Sequence, residues 1–198
     1  MRVRAGIAGV VAAFFVSLIV VAVIVGGCAV SGYNRAVQLD EQVRNTWAQV
    51  ENQLQRRYEL IPNLVETVKG FATHERELLE NIAQARTQYF QPGSPGEKAE
   101  RAGQLEGLLS RLLVLQERYP DLKANENFLQ LQIQLEGTEN RIAVERKRYN
   151  DAVTALNVYR RGFPGSIFAG WAGVKDAKAF EASPEAKAAP KVDFSTKP

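Results

Sequence analysis

The stretch that decides the fold is residues 39–72, which read LDEQVRNTWAQVENQLQRRYELIPNLVETVKGFA. Its apolar side chains recur at intervals of three and four, at Leu39, Val43, Trp47, Val50, Leu54, Tyr58, Ile61, Val65, Val68 and Ala72. This spacing indicates an amphipathic helix that packs one stripe against other helices. The stripe passes the polar Glu75 and resumes up to Tyr89, so we predict one helical stretch interrupted only at Pro62. A proline inside a helix removes a backbone hydrogen bond, and we expect a kink or a short break near Leu60 and Ile61.

Turn signals divide the rest of the chain into further helices. The QPGSPG segment at residues 91–96 is the strongest loop signal. We predict a shorter helix at 97–118, a stop at Tyr119-Pro120, and a last long helix at 121–161. Period-two alternation is absent from the sequence, and so are the Asn-Gly and Asp-Gly dipeptides of hairpin turns. The sequence therefore predicts an all-α protein, an elongated antiparallel bundle of about four long helices (residues 33–163) behind an N-terminal membrane anchor. Residues 164–198 are predicted to form an irregular tail whose aromatic side chains pack on the bundle.

The first 32 residues form the predicted membrane anchor. Arg2 and Arg4 precede an apolar run, Ala5–Val25, that contains no charge. As a helix, this run is about 31 Å long, close to the thickness of a bilayer's hydrocarbon core. Three interpretations fit the segment: a retained transmembrane helix, a cleaved secretory signal, or a lipoprotein signal. Each of them, with the two arginines on the cytoplasmic side, places residues 33–198 outside the cytoplasm.

Cys28 is the candidate lipidation site. The sequence Val25-Gly26-Gly27-Cys28 resembles a bacterial lipobox, in which small residues precede the cysteine that accepts the lipid. The alternative is an ordinary thiol at the membrane edge of a retained anchor helix. A single cysteine also excludes an internal disulfide framework.

Motifs for catalysis or metal binding are incomplete in this sequence. His74-Glu75 begins the zinc-protease pattern H-E-x-x-H, but Leu78 occupies the second histidine position and the chain has one histidine. No G-x-S-x-G elbow and no phosphate-binding glycine loop is present. We therefore predict no catalytic residue, no metal site and no cofactor, with a hydrolase that uses a carboxylate pair as a weak alternative.

Charge argues against a nucleic-acid partner. The chain carries 25 Lys+Arg and 22 Asp+Glu, and two of the arginines flank the anchor. The remaining domain is nearly neutral, whereas a nucleic-acid binder needs a concentrated basic field. Arg56-Arg57 forms a small basic patch, which we interpret as local pairing with Glu51 and Glu59 on a helix surface. Contact with a phosphate or a lipid headgroup is the alternative.

Several long segments resemble the LemA family. They are QLQRRYELIPNLVETVKGFATHER (53–76), YPDL (119–122), LEGTENRIA (135–143), YNDAV (149–153), FP (163–164) and APKVDF (189–194). The resemblance covers about residues 33 to 194. It implies a membrane-attached bacterial protein with a helical bundle outside the cytoplasm and no established enzymatic activity, and some members are tied to magnetosome membranes. One departure concerns the lipobox, since four residues separate Cys28 from Tyr33 where many members have almost none.

These observations together predict a non-enzymatic scaffold or adaptor of the bacterial cell envelope. Its expected partners are the membrane and either another protein or further copies of itself. A self-assembling protein that organises a membrane is the alternative function.

Overall fold

The structure is a computed structural model that describes residues 2–180, with side chains from residue 14 onward. Its α-helices are α1 (Arg2–Glu59), α2 (Ile61–Lys69), α3 (Arg76–Tyr89), α4 (Pro95–Val114), α5 (Pro120–Lys123), α6 (Glu126–Arg161) and α7 (Gly165–Trp171). Single 3-10 turns lie at Thr73–Glu75 and Leu115–Glu117. Residues 2–180 contain no β-strand, so the prediction of an all-α protein is confirmed.

The chain divides into two compact units. The first contains residues 2–59 together with Gln134–Ala177, and the second contains Leu60–Ile133 together with residues 178–180. The predicted anchor boundary at residue 32 falls inside α1, which continues without interruption into the first unit. The division of the chain at residues 32 and 163 therefore stays a prediction.

In the first unit, α1 packs in antiparallel fashion against α6 from Gln134 onward. The Trp47 ring lies 5.4 Å from the Tyr149 ring in edge-to-face geometry, and the Tyr159 hydroxyl donates a hydrogen bond of 2.7 Å to the Gly32 carbonyl. Burial of Tyr149 raises the pKa of its phenol. The stripe predicted for α1 is its buried face, and α6 also buries an apolar set in this unit. The buried residues are Leu39, Val43, Trp47, Val50 and Leu54 of α1 and Leu135, Ile142, Tyr149, Val153 and Leu156 of α6.

In the second unit, the chain breaks where Pro62 predicts and once more where we did not expect it. α1 ends at Glu59 and α2 begins at Ile61 with Pro62 in its first turn, where a missing N–H is tolerated. The prediction that only Pro62 interrupts the helix is wrong, because Gly70 ends α2 and Ala72 leaves the helical region at φ −118° and ψ 64°. α2 consequently buries Leu64, and Val65 is only partly buried.

The predicted loop between α3 and α4 is confirmed. Arg101 of α4 donates to the carbonyls of Gln88, Gln91 and Pro92, at 3.4, 3.1 and 3.4 Å, and so fastens the loop. Ser94 then caps α4: its hydroxyl accepts from the backbone N–H of Glu97 while the Glu97 carboxylate accepts from the backbone N–H of Ser94. Behind this loop, Ile82 and Tyr89 of α3 and Leu105, Leu109 and Leu112 of α4 are buried.

Two further predictions of the sequence are corrected near the end of the chain. The helix predicted at 121–161 consists of α5 and α6, because the Asn125 side chain accepts from the backbone N–H of Phe128 and caps a new helix. The tail predicted as irregular from residue 164 begins with a helical segment, α7, which packs against α1. The rest of the predicted tail, residues 181–198, lies outside the described residues.

Candidate functional site

The first half of α1 is an apolar helix whose side chains do not pack into the protein. Every side chain from Phe14 to Val25 is exposed, and the most apolar window of the helix has a mean hydropathy of 2.6 with none of it buried. A helix that is apolar on all sides and unburied is typical of a membrane span. This segment is the candidate membrane contact of the protein, and it supports membrane association through one N-terminal helix.

Cys28 lies on this helix beyond the apolar run. Its thiol is exposed and free, and Gly26 and Gly27 have no neighbouring atoms that a Cβ would meet. The first charged residue after it is Arg35, two helical turns later. Lipidation at Cys28 stays a prediction.

Four residues beyond Cys28, at Gly32, α1 forms a junction with α6 and α7. Besides the hydrogen bond from Tyr159 to its carbonyl, Gly32 lies against the ring of Phe168 from α7. A Cβ at Gly32 would lie 2.1 Å from a carbon of that ring, so the close approach requires glycine. The junction could not be predicted from the sequence, because a single glycine and a seven-residue helix carry too little periodicity to be recognised.

Arg57 takes a partner that local spacing did not predict. The residue is buried. Its side chain forms an ion pair with the Glu139 carboxylate and donates to the Leu135 carbonyl at 3.4 Å. The prediction that Arg57 pairs locally on a helix surface is wrong, since Glu139 lies 82 positions later. Arg56 is exposed. Arg57 and Glu139 both fall in the segments that resemble the LemA family.

The second unit carries an open groove between α2 and α3. Its volume is about 550 Å³, and it is lined by Val65, Lys69, Ala72, Thr73, Arg76, Leu79, Glu80 and Ala83. Glu80 is the one carboxylate among these residues, and it accepts from Arg76 Nε at 2.7 Å, which raises the pKa of Arg76. A hydrolase with a carboxylate pair needs convergent acids, so this groove gives that alternative no support.

Metal chemistry also finds no support in the described part of the chain. Residues 14–180 contain no group of three or more His, Cys, Asp or Glu side chains placed to hold an ion. His74 is exposed in a 3-10 turn, while Leu78, which occupies the second histidine position of the zinc pattern, is buried.

Comparison with known proteins points to one family. A model of the LemA family matches residues 46–194. Magnetosome protein MamQ 2 of Paramagnetospirillum magneticum is 25% identical over 178 residues, which cover 77% of this chain. Magnetosome protein MamQ of Magnetospirillum gryphiswaldense is 24% identical over 178 residues, which also cover 77% of this chain. Protein LemA of Metamycoplasma hominis is 24% identical over 128 residues, 63% of this chain and 57% of its own length.

The matched region contains the groove, the Arg57–Glu139 pair and α7, and it starts after the apolar half of α1. The match to the two magnetosome proteins covers 65% of their length. A family model that matches most of the chain settles the classification: this protein belongs to the LemA family.

Proposed function

We propose that this protein is a non-enzymatic scaffold or adaptor of the bacterial cell envelope, held by its N-terminal anchor with residues 33–198 outside the cytoplasm. The observation that carries the proposal is the continuity of α1, which runs from Arg2 to Glu59 as one helix. Its first half is apolar and exposed, and its second half forms the core of the first unit. A membrane segment that continues into a folded core presents that core at a bilayer.

The groove of the second unit is the surface that we propose for a protein partner. Val65, Leu79 and Ala83 give it an apolar lining, and the cations Lys69 and Arg76 lie beside their own acidic neighbours. Grooves of this kind accept the apolar face of an amphipathic helix. Glu80, the one carboxylate that lines the groove, is already paired with Arg76, which favours binding of a partner over acid–base chemistry.

Crosslinking in cells tests this role. A photo-crosslinking residue at Ala83, which lines the groove, is compared with one at Asn81, an exposed position on the opposite side of α3. We expect a specific product from position 83 that is missing from position 81. The absence of any product from position 83 in several growth conditions contradicts a scaffold or adaptor that uses this groove.

The second candidate is a self-assembling protein that organises a membrane. It is favoured by the similarity to relatives that are named magnetosome proteins. The same experiment separates the two candidates. A product at twice the mass of the 21.9 kDa chain supports self-assembly, while a product that contains a different protein supports the scaffold.

The type of anchor is tested by the mass of the mature N-terminus. A peptide that begins at a diacylglyceryl-modified Cys28 supports lipidation and excludes the retained helix. An intact Met1 supports the retained helix and excludes lipidation.

A further inference from the structure

α7 has its small and large side chains on unexpected sides. Gly165 and Ala169, four residues apart, are its buried positions. Ile167 and Trp171, also four residues apart, form the outer face, and their exposed fractions are 43% and 67%. A surface helix of a water-soluble unit normally turns its large apolar side chains inward. Here the small residues allow the helix to approach its own unit closely, and the large ones face outward.

The turn before α7 extends this outer face. Phe163 lies in that turn and is 86% exposed. We call Phe163, Ile167 and Trp171 the outer apolar stripe. Three large apolar side chains that recur at every fourth position and are all exposed mark a site of interaction rather than scattered surface residues.

The charges close to the stripe in sequence are mostly basic. Residues 152–175 contain no aspartate or glutamate, and they include Arg160, Arg161 and Lys175. Arg160 forms an ion pair with Asp176, whereas Arg161 and Lys175 are exposed. Basic side chains beside apolar ones favour the surface of a membrane that contains anionic lipids.

The junction at Gly32 sets the height of the stripe relative to the anchor. Residues 5–34 of α1 are uncharged, and as a helix they are about 45 Å long, which matches a bilayer with its headgroup layers. Gly32, against which Phe168 of α7 packs, lies about 42 Å beyond Arg4 on the same scale. α7 is therefore attached to α1 at the level of the outer headgroups.

We propose that α7 is a second membrane contact, an interfacial helix whose outer apolar stripe inserts into the outer face of the bilayer beside the anchor. Tryptophan is a preferred residue at the membrane–water interface, because its ring is apolar and its N–H is polar. The occupant of the stripe is the lipid surface, since the stripe is attached where the membrane-spanning segment ends. The proposal rests on the N-terminal anchor of the proposed function.

Quenching of tryptophan fluorescence by brominated lipids tests the proposal on the full-length protein in lipid nanodiscs. The described residues hold Trp47, which is buried, and Trp171, which is exposed. Trp47 lies about 22 Å along α1 beyond Gly32, out of contact with the lipid. We expect the emission of the wild-type protein to fall in nanodiscs whose lipids are brominated near the top of the acyl chain. We expect no such loss in the Trp171→Phe variant, which keeps the stripe apolar.

A matched pair of charge variants tests the stripe itself. Ile167→Glu introduces a charge on the stripe, and we expect it to abolish the quenching of Trp171. Ser166→Glu introduces the same charge on a neighbouring exposed position away from the stripe, and we expect quenching to remain. Equal helix content by circular dichroism shows that both variants are folded.

Three outcomes overturn the proposal. The first is equal emission of the wild-type protein in brominated and ordinary lipid, and the second is quenching that Ile167→Glu leaves unchanged. The third is a blue shift of Trp171 emission that grows with the ratio of protein to lipid without quenching, since a second copy would then cover the stripe. Failure of the protein to co-elute with nanodiscs overturns the anchor as well, so the two failures are distinguishable.

Discussion

Neutralising Glu139 should destabilise the first unit much more than neutralising an exposed acid on the same helix. Glu139→Gln removes the charge that faces the buried Arg57. The guanidinium then keeps one backbone acceptor, the Leu135 carbonyl at 3.4 Å, and its buried Nε has no hydrogen-bond partner. An uncompensated buried charge is the physical reason for the loss of stability.

The magnitude follows from how far each partner is buried. Removing one partner of a fully buried ion pair costs about 3–5 kcal/mol, and breaking an exposed pair costs about 0.2–1 kcal/mol. The side chain of Arg57 is 9% exposed and that of Glu139 is 44% exposed, so water screens part of the interaction. We therefore expect a loss of about 2 kcal/mol for Glu139→Gln, between these two limits.

Substitution of the other partner, Arg57, should reduce the stability of the first unit less. Arg57→Met keeps an unbranched apolar chain where the arginine stem packs, and it leaves Glu139 free to hydrate through its exposed side. Because the carboxylate that remains is 44% exposed, no buried charge is left uncompensated, and we expect a loss below about 1 kcal/mol. The double variant should resemble Arg57→Met, because the charge that Glu139 compensates is then gone.

Hydrogen exchange, measured by mass spectrometry on the full-length protein in nanodiscs, detects these losses of stability. Peptides that cover residues 134–145 should exchange roughly 30-fold faster in Glu139→Gln, as a loss of about 2 kcal/mol implies. The matched control is Asp151→Asn, which breaks the exposed pair with Lys147 on the same helix and should cost less than about 0.5 kcal/mol. Equal effects of the two acid substitutions, or a larger effect of Arg57→Met than of Glu139→Gln, would refute the reasoning.

Other predictions concern caps and the junction, and hydrogen exchange checks each one. Ser94→Ala should destabilise the first turn of α4 by about 1 kcal/mol, because a cap is lost. The hydrogen bond from the Ser94 backbone N–H lowers the pKa of Glu97. That turn should therefore be stable at pH values above the range in which a carboxyl of the unfolded chain titrates. Its amides should lose protection from exchange as the pH falls through the lowered pKa of Glu97. The Glu97→Gln variant should not show this loss. Gly32→Ala should speed exchange in α7, whereas Gly27→Ala, which has open space around it, should not.

The buried face of α1 could be predicted from the sequence, because burial follows the helical period over many turns. Each predicted position from Leu39 to Tyr58 is buried. Pro62 could be predicted as a break for a chemical reason, namely its missing N–H. The second break at Ala72 could not, because the apolar spacing continues across it, and a turn of a few residues hardly alters a periodic pattern.

The ion pair of Arg57 shows the limit of local reasoning about charge. Arg57 lies three residues after Leu54 and next to Tyr58, both fully buried. A charged residue at such a position on a helix implies a partner from another element, and this signal could have been used. That this partner is Glu139 could not be predicted, because the pairing depends on how α1 and α6 align in antiparallel packing.

α7 could not be predicted from the sequence, because a seven-residue helix carries too little periodicity. Its contact with Gly32 of α1 bears on where the first unit lies relative to the membrane. In a retained transmembrane helix, Gly32 lies at the outer headgroups, about 42 Å beyond Arg4. After lipidation at Cys28, the lipid would be attached four residues before Gly32, about 6 Å along the helix. Either form of the anchor thus brings the bond from Tyr159 and the contact with Phe168 to the membrane surface. With either a retained helix or a lipid at Cys28, we therefore expect the junction at Gly32 to set the height of the first unit above the bilayer.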